Sequence, residues 1–495
     1  MRKHVPSVVE GPKSEINNAL HHSIRNCLAP LARLGSNIRS LFLSEVARRI
    51  LGFLAVAYMA RILGVSGFGT VMIGLTVLSY VSLGGSAGIH VFGTRGVAAG
   101  TLEFSPGELL GARLLNTAVA YVLVGLVTVA FVADSPLRMV ILVTSASGFI
   151  TALFLEWLYQ GKERMSENAI ARTIGAGVYL AVIVFGVRTP DDLRTAAFAA
   201  IAGDIASTGF LLSRYIQEFG PLDIRISFHQ WMSLMRKALP FGAGSLLGHL
   251  STNFPVIAIG IMLGSADAGV FSGANKLVFF LLMIDRILGT VLLPASARLH
   301  SASRESLRSA LEETLRWIVI LGLPLAVGGT LLGSELVVLV YGNAFASAGP
   351  VFAVLIWYVF LTMVHTVYTS GVMAAGGEIR YRNVMIMSAA LYGITVTAGT
   401  AFWGVMGAAV GVLASEGITV IAMRNAMESV CDPVRPARFG RTALAAFTLA
   451  VVILLLPTFH VLVTVLIGCV SYALALMTFR VVSWNDMKTL TQRII

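Results

Sequence analysis

The sequence predicts an all-α polytopic membrane protein of about 14 transmembrane helices, two six-helix lobes in parallel pseudo-repeat followed by two C-terminal helices. Three observations carry this expectation. The 495 residues are 56% hydrophobic and 12% charged, where a soluble chain is roughly 25% charged. Long runs lack Asp, Glu, Lys and Arg altogether: Ile62 to Thr94, Leu114 to Ala133, Ala238 to Ala266, Leu336 to Gly377, Asn383 to Ser415 and Thr442 to Phe479. Short patterns also recur about 200 residues apart. Fourteen spans of ~20 residues require ~280 positions, and the hydrophobic share supplies about that many.

Dividing the runs at turn residues places helices at 41–62, 70–93, 112–133, 139–160, 169–187, 193–213, 238–263, 270–293, 316–340, 349–374, 383–402, 405–424, 442–457 and 460–479. The run LLNTAVAYVLVGLVTVAFVA has no alternation of the kind a barrel strand needs. The expected division is a tail 1–40, an N-lobe 41–214, an inter-lobe linker 215–237, a C-lobe 238–424, a loop 425–441, two helices 442–480 and a tail 481–495. The 49 glycines suit close helix packing. GxxxG pairs such as Gly84/Gly88, Gly244/Gly248 and Gly407/Gly411 add no more than that.

A net charge of +11 raises nucleic acid as a partner, but the basic residues are scattered between apolar runs. Of 36 Lys and Arg, Arg61, Arg138, Arg188 and Arg194 fall on one side and Lys276 and Arg286 inside a span. The other thirty share the opposite side, which the positive-inside rule makes cytoplasmic together with both termini. The N-terminal stretch has no apolar signal core. Cys27, Cys431 and Cys469 form no CxxC pair. Two leucine or isoleucine stripes, Leu307-Leu311-Leu315 and Ile16-Leu20-Ile24-Leu28, predict amphipathic helices lying on the inner surface.

Leu63-Gly64 with Gly69 recurs as Leu263-Gly264 with Gly269. Arg95 matches Arg298, and the stretch Gln160 to Arg164 matches Ala375 to Arg380. Lobes of six helices share one topology, so the repeat axis runs along the membrane normal and a substrate cavity is expected between them. Arg49-Ile-Leu-Gly-Phe, Ala60-Arg-Ile-Leu-Gly64, Gly67-Phe-Gly69, Gly269 to Lys276, Leu293 to Arg298 and Glu335 to Phe345 resemble the polysaccharide repeat-unit (O-antigen type, lipid-linked oligosaccharide) flippase family. That family belongs to the multidrug/oligosaccharidyl-lipid/polysaccharide exporter superfamily, and the resemblance covers everything after residue 40. It implies movement of a polyprenyl-diphosphate-linked oligosaccharide across a bacterial inner membrane, with polysaccharide polymerase machinery as a partner. Lipid II flippases share the fold and the Arg-x-Leu-Gly-Phe pattern.

Charge inside the bilayer costs from about 3 to more than 10 kcal/mol, so Lys276 and Arg286 need a reason to be there. On one continuous helix, Asn275 and Arg286 share a face and Lys276 lies about 80° away. Arg49, Asn275, Lys276 and Arg286 are therefore the expected diphosphate-binding residues, whereas Arg48 is expected to snorkel to the surface. Glu45 is placed to pair with either arginine. Asp285 and then Glu416 are the candidates for coupling transport to a proton or sodium gradient. Glu156, Asp204 and Glu335 are expected to be paired structurally, and His90, His249 and His365 to hydrogen-bond rather than ligate metal. His21-His22 reads as a solvated pair. Asp191-Asp192 reads as the start of a helix rather than an acid pair. No cofactor, phosphate loop or catalytic residue is expected. A drug or cation antiporter would place acids in the cavity, and a membrane glycosyltransferase or polymerase would need larger outer loops.

Overall fold

A computed structural model describes residues 13–133, 135–429, 434, 438–456 and 460–482, with the side chains of 13–44 and 243–252 excepted. The stripe Ile16 to Leu28, His21-His22, Cys27, His249, Gly244/Gly248, Cys431 and the last 13 residues lie outside that description. Every regular element among the described residues is helical. In order they are α1 (Lys13–Ser86), α2 (Ile89–Ala99), α3 (Pro106–Phe131), α4 (Pro136–Ala152), α5 (Glu156–Gly161), α6 (Met165–Gly186), α7 (Leu193–Phe219) and α8 (Phe228–Met262). Then come α9 (Ser265–Leu281), α10 (Met283–Ala302), α11 (Arg304–Leu331), α12 (Gly333–Tyr341), a 3-10 turn (Asn343–Phe345), α13 (Ala348–Ala374), α14 (Glu378–Glu428), α15 (Phe439–Leu455) and α16 (Val461–Thr478). Ten described stretches are long and apolar enough to cross a membrane. Their outer faces leave Leu126, Phe131, Phe185 and Leu466 more than 60% exposed, which suits lipid and not water.

Two long helices bend where the sequence suggests separate spans. Gly64 bends α1 at φ 66° and Gly404 bends α14 at φ 60°, conformations that side chains with a Cβ rarely adopt. Elsewhere the structure breaks a helix that the sequence leaves whole. The fourth expected helix ends at Ala152 and restarts at Glu156, and Arg113 explains why this is tolerated. Its guanidinium donates to the Phe154 carbonyl at 2.9 Å and the Thr151 carbonyl at 2.8 Å, taking up acceptors that the break leaves free.

Two further expectations are corrected. The stripe Leu307, Leu311 and Leu315 does not lie on a membrane surface. It belongs to the first turns of α11 and is buried to within 1% of full burial, packed in the largest hydrophobic cluster with Met423 and Met427 of α14. A stripe spaced at i, i+4, i+8 marks an apolar face but not what covers it. The expected helix 270–293 is also not continuous: α9 ends at Leu281 and α10 begins at Met283. Asn275 and Lys276 therefore stand on one rod and Arg286 on the next.

The helices α1, α3, α4, α6 and α7 pack as one bundle, and α9, α10, α11, α13 and α14 as a second. The pair α15 and α16 rests on α11, where the Tyr472 hydroxyl donates to the Ile320 carbonyl at 2.8 Å. Bridging both bundles is α8: its first turns bury Leu234, Met235 and Ala238 with the N-terminal bundle, and a later part packs on α14.

At one end, here called the Gly64 end, the bundles touch backbone to backbone. A Cβ on Gly69 would lie 1.8 Å from the Ser265 carbonyl oxygen, and one on Gly269 would lie 2.0 Å from that of Val65. Around this crossing the rings of Phe68, Tyr341 and Phe345 form a buried cluster, with Phe68 edge-on to Phe345 at 5.5 Å. Arg61 spans the seam, donating to the carbonyls of Val340 at 2.8 Å and Leu339 at 2.5 Å in the last turn of α12. At this same end Asp192 accepts from the amides of Arg188 and Thr189 at 2.9 and 2.8 Å. Those amides hold its carboxyl below the usual carboxylate range. The acid thus organises the turn before α7.

Candidate functional site: a cleft and two side cavities

Moving away from the Gly64 end, the seam is closed by Phe53 of α1 against Phe280 of α9, ring centroids 4.9 Å apart. The expected diphosphate ligands are arranged around that contact. Arg49 is four residues from Phe53 on α1, and Lys276 is four residues from Phe280 on α9, so each cation shares a face with the ring beside it. Arg49 lies one turn farther from the Gly64 end than the ring pair, and Lys276 one turn nearer. Arg286 is exposed on α10, within electrostatic reach of Arg49, Glu45, Arg48 and Asp285. Neither Lys276 nor Asn275 has a hydrogen-bond partner among the described residues. The interruption at Leu282 is a single residue at φ −62° and ψ −6° within one apolar span, Ser265–Ala302, so it shifts the face argued from sequence without removing it, and Arg286 stays within electrostatic reach of Arg49.

Glu45 pairs with both arginines of its helix, at 2.7 Å to Arg48 Nη2 and 2.7 Å to Arg49 Nε. These adjacent residues point about 100° apart. Arg49 shares the cleft-side face of Phe53. Arg48, expected to snorkel, lines two cavities of the N-terminal bundle, of about 450 and about 190 Å³. The larger reaches Asp204 of α7, which accepts from Ser147 Oγ at 2.6 Å. Arg172 also lines both cavities and is held by Glu156, Nε to Oε1 2.9 Å. His90 Nε2 stands 3.8 Å from the other Glu156 oxygen. Nothing in sequence spacing identifies this set, because its members come from six helices, α1, α2, α4, α5, α6 and α7.

In the C-terminal bundle both candidate coupling acids meet in one place. Thr366 Oγ1 of α13 donates to Asp285 Oδ1 at 2.7 Å. The neighbouring His365 shares a hydrogen bond of 2.9 Å between Nδ1 and Glu416 Oε1 of α14. Asp285 is within electrostatic reach of both His365 and Glu416, and the other ring nitrogen of His365 is buried without a partner among the described residues. Two carboxylates and an imidazole from three helices can hold or exchange a proton. His365 was expected to hydrogen-bond, and it does, but its link to both acids is visible only in three dimensions. No group of three or more His, Cys, Asp or Glu suited to a metal ion occurs among the described residues.

Paired helical bundles that seal at one end, with cations along the cleft between them, define the architecture of a polytopic membrane transporter. The chain belongs to the polysaccharide biosynthesis protein family, which matches residues 34–300. It is 23% identical over 400 residues to a Shigella dysenteriae protein named as an O-antigen transporter, covering 79% of this chain and 99% of that one. It is 20% identical over 402 residues to a Haloferax volcanii protein named as a low-salt glycan biosynthesis flippase, covering 79% and 82%. Among solved structures, the lipid II flippase MurJ in an inward closed conformation superposes with a TM-score of 0.72, covering 89% of this chain and 98% of the other at 11% identity. At that identity the likeness is one of fold.

Proposed function

We propose that the protein is a flippase that carries a polyprenyl-diphosphate-linked oligosaccharide repeat unit across the bacterial inner membrane for cell-surface polysaccharide synthesis. One observation carries the reading: three cations, Arg49, Lys276 and Arg286, stand within membrane-spanning helices along one cleft; Glu45 answers Arg49, and an anionic ligand offsets the positive charge that remains. The diphosphate takes Arg286 and Arg49 first and Lys276 later, beyond the Phe53–Phe280 contact, as the bundles rock. Asn275 adds a neutral donor beside Lys276. The Gly64 end faces the outside, and both termini face the cytoplasm, as the distribution of Lys and Arg requires. Asp285 and Glu416 couple the movement to a proton or sodium gradient, since an uphill step without nucleotide hydrolysis needs one.

The protein performs no covalent chemistry in this account, and the enzyme that joins repeat units is a separate polymerase. Deleting the gene should leave a repeat unit stalled on its lipid carrier at the cytoplasmic face, identifiable by mass spectrometry. Accumulation of a peptidoglycan precursor instead would move the protein to the lipid II reading, which the fold likeness favours second. Unchanged carrier lipids with lost resistance to organic cations would replace it with the antiporter reading.

A further inference from the structure

The N-terminal cavities are not part of the cleft, and the diphosphate account does not use them. We infer that the larger one is a sugar-binding chamber, which receives the glycan of the lipid-linked substrate while its diphosphate stays in the cleft. This rests on the flippase reading. The geometric ground is the pair Arg48 and Arg49. Arg49 faces the cleft and Arg48 lines the chamber, so a single helical step separates the two sites. A sugar joined directly to a diphosphate needs its pocket that close.

The lining matches carbohydrate. At about 450 Å³ the chamber falls within the ~300–1,000 Å³ of small-molecule sites. Arg48 and Arg172 each spend Nε and one Nη on a carboxylate, which leaves further N–H donors on each guanidinium. Asp204 and Ser207 bring acceptors, and Tyr179 brings an aromatic face. Donors and acceptors set among aromatic and aliphatic surface, Phe154, Tyr179, Leu75 and Leu78, suit a sugar ring, whose hydroxyl groups are polar and whose faces are apolar. A lipid tail would leave these polar groups unsatisfied, and a phosphate alone would meet the carboxylate of Asp204. Gly52, the glycine of the Arg-x-Leu-Gly-Phe pattern, also lines the chamber, and a Cβ added there would meet nothing within 4 Å. A side chain at 52 therefore grows into empty space without displacing the fold.

The test uses the full chain in detergent, with Cys27, Cys431 and Cys469 replaced and Ala200→Cys placed in the chamber as a reporter. Its thiol labelling is followed in the presence of free glucose, galactose, N-acetylglucosamine or glucuronic acid, and separately with pyrophosphate and with tetraphenylphosphonium. At least one sugar should slow labelling. Gly52→Leu should weaken that protection at least ~10-fold by occupying the space. Gly209→Leu, at an exposed position on α7 with equal room, should preserve it. Protection by pyrophosphate alone makes the chamber an anion site, and protection by none of the sugars overturns the proposal. If sugars fail while the deletion strain still stalls a lipid-linked repeat unit, the chamber is refuted and the flippase reading stands. If tetraphenylphosphonium protects and no repeat unit stalls, both fall.

Discussion

Arg61→Ala is expected to unseal the Gly64 end. Its guanidinium donates to Val340 and Leu339 at 2.8 and 2.5 Å, at the negative end of the α12 dipole, where a cation is favoured. A hydrogen bond from a charged donor contributes about 1.5–3 kcal/mol net. Arg61 is exposed, so water competes, and about 1–2 kcal/mol for the two bonds together is the fair figure. Losing that amount lowers the closed-to-open ratio about 5–30-fold. The Ser66 and Ser265 hydroxyl oxygens lie 3.3 Å apart across the seam and provide the reporter. With both changed to cysteine in a cysteine-free chain, Arg61→Ala should slow oxidative cross-linking. With only Ala268→Cys, at a fully buried position beside Gly269, it should speed labelling by an impermeant maleimide in intact cells by about tenfold. Arg61→Lys, which keeps the charge but loses the fork, should fall between. Equal cross-linking and equal labelling in Arg61→Ala and the parent would refute the latch.

Alanine in place of Arg49, Lys276 or Arg286 should each stop polymer export while the protein stays in the membrane, with Arg↔Lys exchanges milder; normal export in all three would end the diphosphate account. Asp285→Asn, Glu416→Gln and His365→Asn should each leave substrate binding intact and remove the dependence of flux on an imposed proton or sodium gradient in reconstituted vesicles. Gradient-dependent flux surviving in all three would remove the cluster from the coupling step. Leu311→Ala, at a site 1% exposed, should destabilise the protein by about 2–5 kcal/mol, read as a lowered midpoint of thermal inactivation. A surface-lying helix would lose well under 1 kcal/mol.

Much of the fold is legible in the sequence because membrane helices announce themselves by composition. A run such as Leu114 to Ala133 has no alternative in lipid. The repeat of Leu63-Gly64 and Leu263-Gly264 is legible for another reason: both glycines carry positive φ, at 66° and 100°, which few other residues tolerate. Periodicity fails where it must name the surroundings of a face, and Leu307 to Leu315 shows that a buried stripe and a membrane-lying stripe read alike. It fails again at Leu282, where no proline or glycine marks the break. Individual cations and acids were found because charge in an apolar run is conspicuous. Their partners were not, since Asp285, His365 and Glu416 are separated by up to 131 positions and meet only through packing of α10, α13 and α14. Arg48 reads as a snorkelling residue from its place near a helix end, and only the packing of α1, α4, α6 and α7 shows the cavity it lines.

The crossing of Gly69 and Gly269 has a reciprocity worth following. Gly69 lies over the carbonyl of Ser265 and Gly269 over that of Val65, and each of these pairs is the other shifted by 200 positions. Residue i meeting j while j meets i is the signature of an isologous interface about a two-fold axis. Such interfaces ordinarily join two identical subunits, whereas here one polypeptide supplies both sides. The axis passes between the two glycines, at the point where the bundles come nearest. In the proposed rocking, a tilt about that point swings the far ends apart by equal and opposite amounts, which would make a contact of bare backbone fulcrum and seal together.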